Sequence, residues 1–185
     1  MWWRLGVCAL ILAAMASPAN ASSFTLETSA FLNGGNLPKI DAASADHCGG
    51  RNVSPPLLFA GYPAAVRSFA VVVFDADGNG GKGFVHWVAY GIKPATASLG
   101  PGFGSQPSDA FIGGVNDPGT TTYFGPCPPP GDRPHHYVFS AYALDLAPAA
   151  LPPGLTRAAL LRAIAKHTLA QAQITGLYAR SKENP

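Results

Sequence analysis

A chain of 185 residues with 12 Lys and Arg against 10 Asp and Glu is close to electroneutral, at +2 with histidines uncharged. No run of Lys or Arg is present, which excludes a surface built to track nucleic-acid phosphates or to adsorb on an acidic membrane. The length suits one domain with a core of its own.

The N-terminus reads as a targeting segment. Arg4 supplies a short positive region, LGVCALILAAMA is an apolar run of signal-peptide length, and Ala19-Asn20-Ala21 places small residues where a signal peptidase cuts. The run is short for a bilayer span, which takes about 20 residues. Cys8 lies too early to become a lipid-attachment cysteine after cleavage. Cleavage after Ala21 is therefore expected, giving a periplasmic or secreted mature chain of residues 22–185, that is 185 − 21 = 164 residues in a single domain without a membrane span. Loss of Arg4 leaves 11 − 10 = +1.

Beyond this point 21 Gly and 18 Pro, most of them between short apolar runs, predict a mainly β fold with long ordered loops. Strands are predicted over 24–28, 68–74, 85–92, 137–144 and 173–180. SFAVVVF, at 68–74, is almost wholly apolar and β-branched, the pattern of a central strand buried on both faces. Residues 99–131 carry no clear period, and their Gly-Gly-Val-Asn-Asp-Pro-Gly and Pro-Pro-Pro-Gly corners read as ordered turns lining a pocket. From Arg157 to Gln171 the period changes: Leu160, Ile164 and His167 or Thr168 recur at helical steps, with Thr156 as N-cap after LPPG. His167 near that stripe is expected to pack as a satisfied histidine, and a short last strand follows the helix. Two cysteines survive processing, Cys48 and Cys127, and an even count in an oxidising compartment predicts a disulfide.

Two stretches carry chemistry. The strand SFAVVVF runs into Asp75-Ala76-Asp77, with His86-Trp87 soon after; GPCPPPGDRPHHYVFSAYALD ends a Gly/Pro corner in His135, His136 and Tyr137. Asp75, Asp77, Asn79 and Gly80 match the first half of an EF-hand loop, but Lys82 and His86 stand where an apolar residue and a bidentate Glu belong, and the flanks read as strands. A zinc site from His86, His135 and His136 lacks the usual ligand spacing, and adjacent His135 and His136 on a strand point to opposite faces. No Gly-x-Ser-x-Gly elbow is present, so no nucleophile is assigned. Binding remains. Imidazoles and a phenol at His86, at His135 or His136, and at Tyr137 can hold phosphate-like oxygens, Asp75 can orient an imidazole or hold an ammonium, and Trp87 with the proline corner can supply apolar walls.

At these residues the chain resembles the phosphatidylethanolamine-binding protein family, in its bacterial Raf-kinase-inhibitor-like branch. The resemblance runs from HCGGRNVSPPLLF through VVVFDADG and His86-Trp87 to YFGPCPPPGDRPHHYVFSAYALD and ITGLYAR, nearly the whole mature chain. It implies a β-sandwich with a C-terminal helix and a small anion pocket near the surface. It assigns that pocket to Asp75, Asp77, His86, His135 and Tyr137, with Gly125, Pro126 and Pro128 in one wall, His135 facing inward and His136 outward. The chain departs from the family where Asp-Pro-Asp-Ala-Pro becomes Asp75-Ala76-Asp77-Gly78-Asn79, which leaves 78–83 more mobile, and where His-Arg-Tyr becomes His135-His136-Tyr137.

The expectation is an exported binding module for a small anionic ligand, phosphate, carboxylate or a phospholipid headgroup, without cofactor or metal. Two alternatives stand beside it. One is an inhibitor of a serine protease or kinase acting through surface loops, a role the resemblance implies; the other is a weak hydrolase or lyase using Asp75 and His86. The choice between monomer and homodimer stays open.

Overall fold

The computed structural model describes residues 23–45 and 47–182; the expected signal segment 1–21 and its cleavage site lie outside them. Its strands are β1 (Thr25–Glu27), β2 (Leu57–Ala60), β3 (Ser68–Asp75), β4 (Phe84–Ile92), β5 (Ser98–Leu99), β6 (Ile112–Gly113), β7 (His135–Leu144) and β8 (Thr168–Tyr178). They form two antiparallel sheets, a small one ordered β1-β2-β5 and a larger one ordered β6-β4-β3-β7-β8.

The apolar run of β3 takes the centre of the larger sheet, and every residue of it except Phe74 is buried. Its alternating side chains feed two core layers. Phe69, Val71 and Val73 pack with Phe139 and Ala141 of β7 against Leu26, Leu57 and Phe59 of the small sheet. Ala70 and Val72 pack on the other face with Val88, Tyr90 and Tyr142, beneath Leu160 and Ile164 of the helix Arg157–Ile164. Each such side chain contributes roughly 1.5–3 kcal/mol by leaving water. The mainly β sandwich with one C-terminal helix is the expected architecture.

The helix begins as predicted, with the Thr156 hydroxyl accepting from Ala159 N at 3.3 Å. It does not reach Gln171. The chain turns after Ile164, whose carbonyl accepts from His167 N at 2.9 Å, and β8 starts at Thr168. The last strand is therefore 11 residues long rather than short, paired with β7 from Leu144↔Thr168 to His135↔Tyr178 with one shift of register between Ala143 and Leu144. The reason is parity: Ala170, Ala172 and Ile174 pack on the core while Leu169, Gln171 and Gln173 face out, so a composition that favours helix is overridden by cross-strand pairing. His167 consequently leaves the core and donates from Nδ1 to Asp145 at 2.8 Å, both side chains half-exposed. Strands β2, β5 and β6, of four, two and two residues, carried no alternation long enough to read in the sequence.

Cys48 and Cys127 are joined as expected, 79 residues apart with 5.2 Å between Cα atoms. The bridge fastens residues 39–52 to the Gly/Pro corner at 123–131. Around it Ala43 N donates to Pro126 O (3.0 Å), the Tyr123 hydroxyl to Asp41 O (3.0 Å), and Asn52 Nδ2 to Tyr123 O (2.9 Å).

Candidate functional site

Where the first core layer runs out, the strands turn polar. On β3 the inward series Phe69, Val71, Val73 ends in Asp75; on β7 the series Ala141, Phe139 ends in Tyr137 and His135. Asp75 lies opposite Tyr137 on one side and Phe84 on the other. The third strand reaches the same place by an irregularity. Val73 pairs with Trp87 and Phe74 with Val85, which leaves His86 as the extra residue of a β-bulge. The bulge sends two consecutive side chains to one face: Trp87 into the core beside Val73, and His86 against the edge of the Tyr137 ring at 5.1 Å between centroids.

These residues line an open pocket of about 510 Å³. Asp75, His86, His135 and Tyr137 form its polar floor, Phe84 and Phe124 one apolar side, and Pro128, Pro129 and Cys127 of the corner another. Gly78 and Asn79 close the end near β3, and Asp117 stands at the rim. Asp117 belongs to the Gly-Gly-Val-Asn-Asp-Pro-Gly turn, which is clamped to β4: Val85 N donates to Asp117 Oδ2 at 2.8 Å, and buried Asn116 donates to His86 O at 3.1 Å.

Each polar group has a definite hydrogen-bonding state. Asp75 is fully engaged: Oδ1 accepts from Asp77 N (2.9 Å) and Gly78 N (3.0 Å), and Oδ2 accepts from His135 Nδ1 (2.7 Å). His135 also donates from Nε2 to Asp132 at 3.2 Å. Both ring nitrogens face carboxylate oxygens, which only accept, so both are donors and both are occupied; burial pulls the His135 pKa down, but the hydrogen bonds and charges of Asp75 and Asp132 outweigh that and raise it. His86 is the opposite case. Its Nδ1 lies 2.7 Å from Phe124 O, and a carbonyl only accepts, so Nδ1 holds the proton and Nε2 presents a lone pair. Burial holds its pKa down at about 4, against the carbonyls of Phe124 and Gly125 and the carboxylates of Asp75 and Asp117. Tyr137 is buried, its pKa raised by that burial and then by the nearby Asp75 carboxylate, so its hydroxyl stays a donor; among the described residues it makes no hydrogen bond of good geometry, and Asp75, already bonded three times, is the nearby acceptor.

Five of the nine residues expected in the pocket are brought together: Asp75, His86, His135, Tyr137 and Pro128. His135 faces in and His136 out, as expected. Asp77 is turned away. It holds Arg133 (2.5 Å), His136 Nδ1 (2.7 Å) and His136 N (2.9 Å) beside the mouth, and the hydrogen bond from His136 is the first cause of its lowered pKa. Trp87 packs edge-on to Phe111 and Tyr123 in the core. Gly125 and Pro126 lie behind the wall, where Gly125 N donates to Asn52 Oδ1 at 2.8 Å. A Cβ at Gly125 would sit 2.1 Å from the backbone oxygen of Asp41. Gly125→Ala is accordingly expected to cost about 2 kcal/mol of stability in urea unfolding, through displaced backbone and not through ligand contact. With Asp75 and Asp77 diverging, the EF-hand-like spacing gathers no ligand set.

The family model for phosphatidylethanolamine-binding protein matches residues 27–179. A UPF0098 protein of Methanothermobacter thermautotrophicus is 39% identical over 158 residues, covering 84% of this chain and 98% of its own. The UPF0098 protein YbcL of Escherichia coli is 32% identical over 177 residues, 93% of this chain and 96% of its own. The crystal structure of E. coli YbcL, described as a member of the mammalian PEBP family, superposes with a TM-score of 0.77 at 30% identity, over 85% of this chain and 98% of that one. Sequence and sandwich architecture agree: the chain belongs to the phosphatidylethanolamine-binding protein family.

Proposed function

We propose that the protein is an exported module that binds a small ligand through a phosphate or carboxylate group. The observation that carries this reading is the Tyr137 hydroxyl, a buried donor without a well-placed acceptor among the described residues, in the floor of a pocket of about 510 Å³. A buried hydroxyl left unpaired costs roughly 1–3 kcal/mol, a cost that a bound oxygen removes. The family description names a phosphate-bearing ligand, and the pocket is of a size to take a phosphate and a small substituent. Export is supported by the signal-like N-terminus and by the Cys48–Cys127 bridge, which suits an oxidising compartment. Among the described residues no helix is long and apolar enough to cross a membrane.

Tyr137→Phe tests the reading with two readouts. Affinity for inorganic phosphate, measured by calorimetry, is expected to fall at least about tenfold, while stability holds or rises because an unpaired buried hydroxyl has gone. Unchanged phosphate affinity in a folded variant would overturn the proposal. The hydrolytic alternative is less well supported, because the Asp75 carboxylate is bonded to His135 and not to His86. An inhibitor acting through residues 99–122 would keep its inhibition in the same variant.

A further inference from the structure

Resting on the oxyanion-binding reading, the floor of the pocket contains a feature that narrows the ligand further. Two groups face it without a well-placed partner among the described residues, and they are of opposite kinds. The Tyr137 O–H needs an acceptor; His86 Nε2, with Nδ1 committed to Phe124 O, needs a donor. His135 contributes neither, since Asp75 and Asp132 take both of its protons. Among the described residues the lining contains no Lys or Arg. The charged and titratable groups facing His86 are Asp75 from β3, His135 and Tyr137 from β7, and Asp117 from the turn against β4, with Asp132 behind His135. Asp75 and Asp132 outnumber the single charge of His135, and with Asp117 at the rim they leave this part of the pocket at 1 − 3 = −2.

A fully ionised phosphate offers only acceptors to such a floor. It would satisfy Tyr137, leave a lone pair facing His86 Nε2, and add its second charge beside Asp117. A phosphodiester carries one charge but no proton, and fails at the same nitrogen. An oxyacid holding one proton satisfies both groups: one oxygen accepts from Tyr137 and the P–O–H donates to His86 Nε2. We propose that the pocket selects singly protonated phosphomonoesters over both their dianions and phosphodiesters, with His86 as the residue that reads the proton.

The test is calorimetric titration of the exported protein with methyl phosphate and dimethyl phosphate between about pH 5 and about pH 7.5. The second ionisation of a phosphomonoester lies near pH 6, so the protonated fraction, and with it methyl phosphate affinity, is expected to fall roughly thirtyfold over that range. Dimethyl phosphate does not titrate there. It is expected to bind at least about tenfold more weakly than methyl phosphate at the acid end, and its own pH profile reports any contribution from protein groups such as His135. His86→Phe should abolish the preference for the monoester; imidazole nitrogen NMR of the wild type, showing Nε2 unprotonated and shifting on monoester binding, gives the same information if that variant fails to fold. Equal binding of the diester, or monoester affinity that is flat or rises with pH, overturns the selectivity while leaving oxyanion binding in place. Binding of neither compound at any pH overturns both.

Discussion

Replacing Cys48 and Cys127 together by serine is expected to lower the free energy of unfolding by about 4 kcal/mol. The bridge closes 79 residues, and the chain-entropy model assigns a loop of that length a little over 4 kcal/mol at room temperature. For a domain of this size that corresponds to a fall of about 10 °C in melting temperature. The effect should reach the pocket as well, since Cys127 lines it and Pro128 and Pro129 follow directly. The remaining ties between the corner and residues 39–52 include four uncharged hydrogen bonds, from Ala43 N, Asn52 Nδ2, the Tyr123 hydroxyl and Gly125 N, each worth about 1 kcal/mol. Phosphate affinity should therefore weaken by a smaller factor than in Tyr137→Phe, because the floor itself, built on three paired strands, is untouched. Thermal and urea unfolding of the double variant measure the first effect. A loss under about 1 kcal/mol would mean that the other contacts hold the corner without covalent help.

The parts of this site that were readable in the sequence are those set by strand parity. SFAVVVF can only be a strand buried on both faces, and once Val71 and Val73 face the core, Asp75 two residues on must face the same way. The same parity sets Tyr137 and His135 on one face and His136 on the other; that the first face looks inward was supplied by the family resemblance, and the structure agrees. Parity fails where the chain leaves the strand. Asp77 follows Asp75 by two residues, but β3 ends at Asp75 and Asp77 has turned to φ −89°, ψ −20°, so its carboxylate swings outside to His136 and Arg133. It fails again at the bulge, where His86 and Trp87 share one face: a shift of register belongs to a pair of strands, and one strand's sequence does not announce it. Asp117 went unnamed because the turns at 99–131 have no period from which a direction can be read, although their Gly/Pro corners marked them as pocket walls. The helix was overextended for a different reason: Ala, Leu and Gln favour helix locally, and only a partner strand reveals that 168–171 alternate.

Behind the corner lies a group whose chemistry opposes that of His86. Asp41 ends the short turn Lys39–Asp41, is 3% exposed, and has a carboxylate oxygen without a partner among the described residues. Burial pushes its pKa up from 3.8 to about 7. The folded state therefore holds a proton on Asp41 that the unfolded chain gives up near pH 4, and stability falls as pH rises through that interval. The gap between 3.8 and about 7, at about 1.4 kcal/mol per pH unit, sets a ceiling of about 4 kcal/mol on the loss. Asn has the shape of the protonated acid and cannot ionise. Asp41→Asn is thus expected to leave stability unchanged near pH 4 and to raise it by up to about 4 kcal/mol near pH 8, in urea unfolding at the two pH values. Equal stability of variant and wild type at both would show that the carboxylate finds solvent or a partner when it ionises. His86, with its pKa held near 4, works the other way, losing stability as pH falls from about 6.5, so in the wild type the two trends partly cancel between about pH 4 and about pH 6.5. Removing Asp41's titration should expose the His86 slope: the Asn variant, unlike the wild type, should gain stability steadily as pH rises across that range. Because the Asp41 carbonyl accepts from Tyr123 and backs directly on Gly125, the same ionisation loosens the wall that carries Pro128, and the variant should hold phosphate at pH 8 at least as tightly as the wild type.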